Sequence, residues 1–262
     1  MTVFTGAGVA LVTMFADDGQ VDPAATAALA RELTDRGMAS VLVCGTTGEA
    51  STLSGAERVA LISAVRDAVP AGIPVLAGTG AATAEQAVLL TGAACGAGAD
   101  AVLAWPPPGS EDLPGYFGAL ATAAAGAPVL AYHIPWVSAP GVPVAELAAL
   151  PVVGVKDSSG SADRLLDEVA HYPGDTYVGS SALLSLAGPL GATGAILALA
   201  NLEPERCVKA LAGDAGVQLE LAEQHLRVKE GGPAVIKKIL AAERGTSTLA
   251  RVGTAAAPYQ AP

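Results

Sequence analysis

Lys156 closes an apolar run, "LPVVGVKDSSG" at 150–160, that reads as a buried strand. An ammonium is strongly hydrated and seldom buried without a partner, so a lysine at a strand end asks for a chemical reason. Desolvation disfavours the charged amine. A neutral amine can attack a ketone to give a Schiff base, whose protonated imine draws electrons from the adjacent carbon. Such a group makes or breaks carbon–carbon bonds without metal or cofactor. Of the five lysines, Lys209, Lys229, Lys237 and Lys238 fall in the helical C-terminal part, and Lys156 alone ends a strand. Asp157 follows it, but alternation along a strand sends the two side chains to opposite faces. This stretch alone leaves two readings open: a reactive amine, or a lysine at a loop start paired with a carboxylate.

Two other places could serve that amine. "GTTGE" at 45–49 offers the hydroxyls of Thr46 and Thr47 and successive backbone N–H groups, with Gly45 and Gly48 allowing close approach. Such a turn can hold a carboxylate without a cation, although an ordinary strand-to-helix loop reads the same way. Tyr132 ends the neighbouring strand, where a phenol can pass a proton at the imine carbon or the leaving aldehyde, or simply line the rim. Glu49 is expected to orient its loop, with a surface position as the alternative.

Positioning these residues requires several strands ending on one side. Apolar runs recur at 8–15, 39–44, 73–77, 99–105, 127–132, 152–156, 175–180 and 193–199. Helix-like stretches lie between or after them, at 22–37, 54–69, 83–97, 111–125, 143–150, 161–171, 181–190 and 203–212. Asp22-Pro23, Ser54, and Thr83 followed by Glu85 read as helix starts. Eight strands alternating evenly with eight helices predict an α/β fold, a (β/α)8 TIM barrel, rather than an open doubly wound sheet with a switch point. Residues 1–214 are expected to form the barrel. Residues 215–262 would form a C-terminal helical extension on the same domain, with two helices and an irregular tail. Barrel chemistry sits at the carboxyl ends of the strands, and "GTTGE", "YHIPWVS", "KDSSG", "GSSA" (179–182) and "ALAN" (198–201) all fall there. The last two, with Ala198, lie where some barrels hold a phosphate.

"GTTGE", "YHIP" and "GVKDSSG", in that order and spacing, resemble the dihydrodipicolinate synthase/N-acetylneuraminate lyase family of pyruvate-handling class I aldolases. The resemblance covers roughly residues 5–245 and includes "GTGAAT" and "GATGAILALAN". It implies a barrel with extra C-terminal helices and a homo-oligomer, dimer or tetramer. It also implies a Schiff base on Lys156 and proton transfer by Tyr132. Thr46 and Thr47 would hold the pyruvyl carboxylate, with Thr46 linking the phenol to a relay. The expected substrate-binding set is Thr46, Thr47, Gly45, Gly48 and Ala198, acting on pyruvate and an aldehyde.

Two departures bear on the substrate. Synthases of the family place tyrosines after strand 4, where "WPPPGS" has prolines such as Pro108. They also carry an arginine after the "YxxP" turn, where Val137 stands here. Both point away from 4-hydroxy-tetrahydrodipicolinate synthesis, kept as the alternative; the expected substrate is a 2-keto-3-deoxy sugar acid or a related compound, for an aldolase or a dehydratase. A catalytically silent pyruvate-binding protein on the same barrel is the alternative of another class.

Other classes are disfavoured. A net charge of −11 would repel nucleic acid and anionic membranes, and no apolar run reaches the length of a membrane span. Cys44, Cys95 and Cys207 form no CxxC pair, which suits reduced thiols of a cytoplasm, and no basic flank marks a signal peptide. "GTGAAT" at 78–83 lacks the third glycine of a dinucleotide fingerprint, and Asp100 starts a strand. His133, His171 and His225 are scattered, so neither metal nor cofactor is expected. His133 is expected to point away from Tyr132. Trp105 and Trp136 either line the pocket or pack.

Overall fold

The computed structural model describes residues 1–251. Eight parallel strands close in sequence order: β1 (Gly6–Ala10), β2 (Ser40–Val43), β3 (Val75–Gly78), β4 (Ala101–Ala104), β5 (Val129–His133), β6 (Gly154–Asp157), β7 (Asp175–Val178) and β8 (Gly194–Leu197). Helices α1 (Pro23–Asp35), α2 (Gly55–Ala68), α3 (Ala84–Gly96), α4 (Leu113–Ala123), α5 (Val144–Leu147), α6 (Ala162–His171), α7 (Leu184–Leu190) and α8 (Pro204–Leu211) follow the strands in turn. The expected (β/α)8 barrel is thus observed.

The helix starts read from the sequence are real caps. Asp22 accepts from the Ala25 N–H at 2.9 Å. Ser54 and Glu57 form a reciprocal capping box, and Thr83 accepts from Gln86 N–H at 3.3 Å. Two layers of core result from strand alternation. Outward residues such as Val9, Val41, Val102 and Val155 pack under the helices. Inward ones such as Leu42, Leu76, Leu103, Leu130 and Ile196 fill the barrel. Tyr177 plugs the amino-terminal end, stacked on Phe4 at 4.6 Å between centroids and donating to its carbonyl at 2.8 Å.

Three expectations shift. The first strand covers 6–10, not 8–15. Residues 11–15 are buried but cross the barrel rim, where Val12 N–H bonds Asn201 Oδ1 at 3.1 Å and Met14 N–H bonds Thr26 Oγ1 at 3.0 Å. An apolar run reports burial, and periodicity cannot tell a strand from a buried rim segment. The helix expected over 143–150 shrinks to α5, and that over 181–190 opens with a tight turn at 181–183 before α7.

Beyond the barrel, α9 (Ala215–Glu220) and α10 (Ala222–Arg244) follow. α10 packs against the turn after β8 and is broken at Gly232, whose φ of 55° and ψ of −144° are not helical, with Pro233 next. The tail expected after these helices falls largely in residues 252–262, outside the described residues. Among the described residues no helix is long and apolar enough to cross a membrane.

Candidate active site

β5, β6 and β7 run in register with Tyr132, Lys156 and Tyr177 side by side, all facing the barrel interior. Lys156 lies near the carboxyl end of β6 and is only 4% exposed. Its Nζ lies 4.4 Å from the centre of the Tyr132 ring, a cation–π contact when the amine is protonated. Among the described residues no carboxylate pairs with it. Gly179, just after β7, makes room, since a Cβ there would stand 3.1 Å from Lys156 Cε and 2.1 Å from Ser158 Oγ.

Asp157 takes the opposite face, as alternation requires. It accepts from the N–H and Oγ of Ser159, both at 2.8 Å, and lies 3.5 Å from Arg164. His133 also points outward and accepts from Val142 N–H at 3.1 Å. Burial, then the nearby Arg164 charge, push its pKa down to about 4. Behind β6, burial raises the Glu168 carboxyl to about 8 although Arg164 lies 2.8 Å away, and Asp157 pushes it the same way.

A cavity of about 830 Å³ opens in front of Lys156. Thr46 and Thr47 line it, as do Tyr132, Lys156 and Ala198. Gly45 and Gly48 do not. The Gly48 carbonyl accepts from Thr13 Oγ1 at 2.7 Å, and a Cβ on Gly48 would approach Leu11 O at 3.1 Å, so this glycine lets the turn press on the rim segment that follows β1. The turn is bounded by two left-handed non-glycine residues, Cys44 (φ 55°) and Glu49 (φ 57°), a strained conformation that the surrounding fold must hold. Glu49 is not at the surface. It is 1% exposed and paired with the fully buried Lys237 of α10. Its other oxygen accepts from Arg251 N–H at 2.7 Å.

Tyr132 is not hydrogen-bonded to Thr46 among the described residues. Its hydroxyl lies 3.1 Å from Ser158 Oγ, and either atom can donate. Trp136 lines the cavity mouth at 65% exposure, whereas Trp105 packs over Gly80 and takes no part in the lining. Val137 is half-buried near the barrel interior, so no guanidinium follows the "YHIP" turn. The "ALAN" asparagine proves structural. Asn201 donates to Ala10 O at 2.7 Å and Ala198 O at 2.8 Å, joining the ends of β1 and β8.

Sequence reasoning put the serines of "KDSSG" and "GSSA" on this face without naming them as site residues, and it missed the α10 wall. Ser158, Ser159, Ser180 and Ser181 line the cavity together with His225, Lys229 and Glu230. The helix break "GGP" at 231–233 was the one local sign that this segment meets something other than its own helix.

Comparison with known proteins sharpens this picture. The 4-hydroxy-tetrahydrodipicolinate synthase of Synechococcus sp. (strain WH7803) is 42% identical over 164 residues, 60% of this chain and 54% of the relative. The chain thus matches about half the length of that relative. The crystal structure of YagE, a prophage protein of the dihydrodipicolinic acid synthase family from E. coli K12 in complex with pyruvate, is similar with a TM-score of 0.87 and 28% identity. That match covers 99% of this chain and 94% of the other. The chloride-inhibited dihydrodipicolinate synthase of Acinetobacter baumannii, complexed with pyruvate, gives a TM-score of 0.86 at 28% identity over 96% of this chain and 94% of that one. The model of the dihydrodipicolinate synthetase family matches residues 3–241, and the chain belongs to that family.

Proposed function

We propose that this chain is a class I lyase that holds pyruvate, or a 2-keto acid built on it, as an imine on Lys156. The observation that carries the proposal is a buried amine with no carboxylate partner among the described residues, facing a cavity and lying against a tyrosine ring. The keto acid carboxylate sits against Thr46 and Thr47. The amine adds to the C2 carbonyl, and loss of water leaves the protonated imine. Tyr132 takes the proton of the C4 hydroxyl while its own passes to Ser158 and on to water in the cavity, the C3–C4 bond breaks, and that bond's electrons pass to the imine nitrogen as the enamine forms. The aldehyde leaves, C3 is reprotonated and water releases pyruvate. Ser158, 3.1 Å from the phenol, is placed to exchange that proton, the part the resemblance assigned to Thr46.

The substrate class follows from the lining. Six serine and threonine residues, Thr46, Thr47, Ser158, Ser159, Ser180 and Ser181, line a cavity of about 830 Å³ beside Tyr132, far larger than pyruvate needs. A polyhydroxylated 2-keto-3-deoxy acid suits that wall. The second reading, 4-hydroxy-tetrahydrodipicolinate synthase, is favoured by the name of the curated relative and opposed by Val137. Assembly into a dimer or tetramer belongs to the same proposal and rests on the family resemblance.

Borohydride reduction with pyruvate, followed by peptide mass mapping, tests the imine: one reduced adduct on Lys156 is expected. No adduct, or one on another lysine, ends the proposal. Pyruvate release from 2-keto-3-deoxy acids, set against condensation of pyruvate with aspartate semialdehyde, then separates the two substrate readings.

A further inference from the structure

The cavity does not end at Lys156. Beyond the 179–181 turn it reaches the first half of α10, where His225 and Lys229 lie one helical turn apart and both line it. His225 Nδ1 is 2.8 Å from Ser181 Oγ, and Ser181 is itself buried and held by Gln218 Nε2 donating to its carbonyl at 2.9 Å. Either tautomer of the neutral imidazole leaves this pair one spare donor, the ring Nε2–H or the serine O–H. Burial first, and the charge of Lys229 second, lower the His225 pKa, so the pair is neutral near pH 7. Lys229 has no ion pair or hydrogen bond among the described residues. Lys209 and Lys238 also lack one, but they lie outside the cavity.

This is a local reversal of charge. The chain carries a net charge of −11, yet one cavity collects two lysines without a carboxylate partner among the described residues, Lys156 and Lys229, against one lining carboxylate, Glu230. A concavity of that sign draws and orients anions, even with Lys229 itself solvent-exposed. The keto acid carboxylate accounts for one end of the cavity and leaves the cation at the other end without a counterpart. Val137 supplies no charge after the "YHIP" turn, so any anion at the far end must be met from α10.

We infer that Lys229, with the Ser181–His225 pair, forms a subsite for an anionic group, a carboxylate or a phosphate, at the end of the substrate remote from the keto acid. The inference rests on the imine reading above and adds the charge of the substrate's far end. Lys229 supplies the charge, the Ser181–His225 pair supplies a directed hydrogen bond, and Glu230 penalises an anion seated on its side of the wall.

Three probes share a chain and differ only at the far end: 2-keto-3-deoxygluconate (hydroxymethyl), 2-keto-3-deoxyglucarate (carboxylate) and the terminal phosphate ester of the first. Pyruvate release is measured on the full chain, in parallel with borohydride trapping of pyruvate alone. At least one anionic probe is expected to exceed the hydroxymethyl probe in kcat/KM, and the arm that responds identifies the group. Lys229→Met is expected to lower kcat/KM for that probe about 10–100-fold, the scale of a hydrogen bond to a charged group. It should leave the hydroxymethyl probe and pyruvate trapping unchanged, and Lys229→Arg should restore the preference. A hydroxymethyl probe preferred by the wild type, or an equal loss on all probes in Lys229→Met, overturns the inference while trapping still succeeds. Failure of trapping in the wild type overturns the imine reading and this inference with it.

Discussion

Two lysines are withdrawn from water in this molecule, in opposite ways. Lys156 is 4% exposed, has no carboxylate partner among the described residues, and faces a cavity. Lys237 is fully buried, paired with Glu49, and donates to Leu249 O at 3.0 Å. Each lies over an aromatic face, Tyr132 at 4.4 Å and Phe15 at 4.1 Å. Burial pushes the Lys237 pKa down and Glu49 pulls it back up, so its charge is spent on holding α10 against the 45–49 turn. Burial of an amine therefore does not make a nucleophile. Space in front of it and the lack of a carboxylate do.

Breaking the comparison at its reactive end has the largest expected effect. Lys156→Ala should abolish both the pyruvate adduct and turnover while leaving the urea midpoint unchanged or higher, because a buried amine without a carboxylate partner is costly to keep. If turnover survives, the two lysines have been assigned the wrong roles. Tyr132→Phe should lower turnover by about 10²–10⁴ while pyruvate is still trapped, the range typical of a positioned proton donor. Rapid-quench measurement of pyruvate release checks it.

The structural end responds in stability. Lys237→Met should destabilise the fold by about 3–5 kcal/mol in denaturant titration, since Glu49 stays buried after losing the ammonium of Lys237. Adding Glu49→Leu should recover only part of this, because Arg251 N–H then loses an acceptor. A Lys237→Met protein of normal stability would make the contrast between the two lysines empty.

Behind Lys156, on the outer side of β6, lies an effect seen only in how stability changes with pH. The Glu168 carboxyl is raised from 4.5 to about 8, chiefly by burial. Below pH 4.5 it is protonated in both folded and unfolded chains. Between 4.5 and 8 only the unfolded chain ionises, so this group's contribution is progressively lost, by roughly 1 kcal/mol for each pH unit. Above 8 the loss is complete. Glu168→Gln should flatten that slope when unfolding is measured at pH 5, 7 and 9, and an unchanged slope would place the titration elsewhere.

Local sequence decided a good deal. Caps at Asp22, Ser54 and Thr83, and the period-two patterns around Lys156 and Tyr132, depend on contacts within a few residues, and these were legible. So were the outward turns of Asp157 and His133, because alternation is a property of the strand itself. Residues 11–15 were misread because burial, not strand pairing, makes a run apolar.

What no local pattern could decide is which lysine meets a carboxylate. Lys237 and Glu49 are 188 residues apart in the chain, and His225 and Ser181 are 44 apart. Their pairing depends on how α10 crosses the barrel rim. Strand ends and side-chain faces are set by short-range geometry, so the sequence alone placed Lys156 and Tyr132 on one face. The neighbours that leave one amine free and bind the other are set by long-range packing, and only the closed barrel with α10 across its mouth determines them.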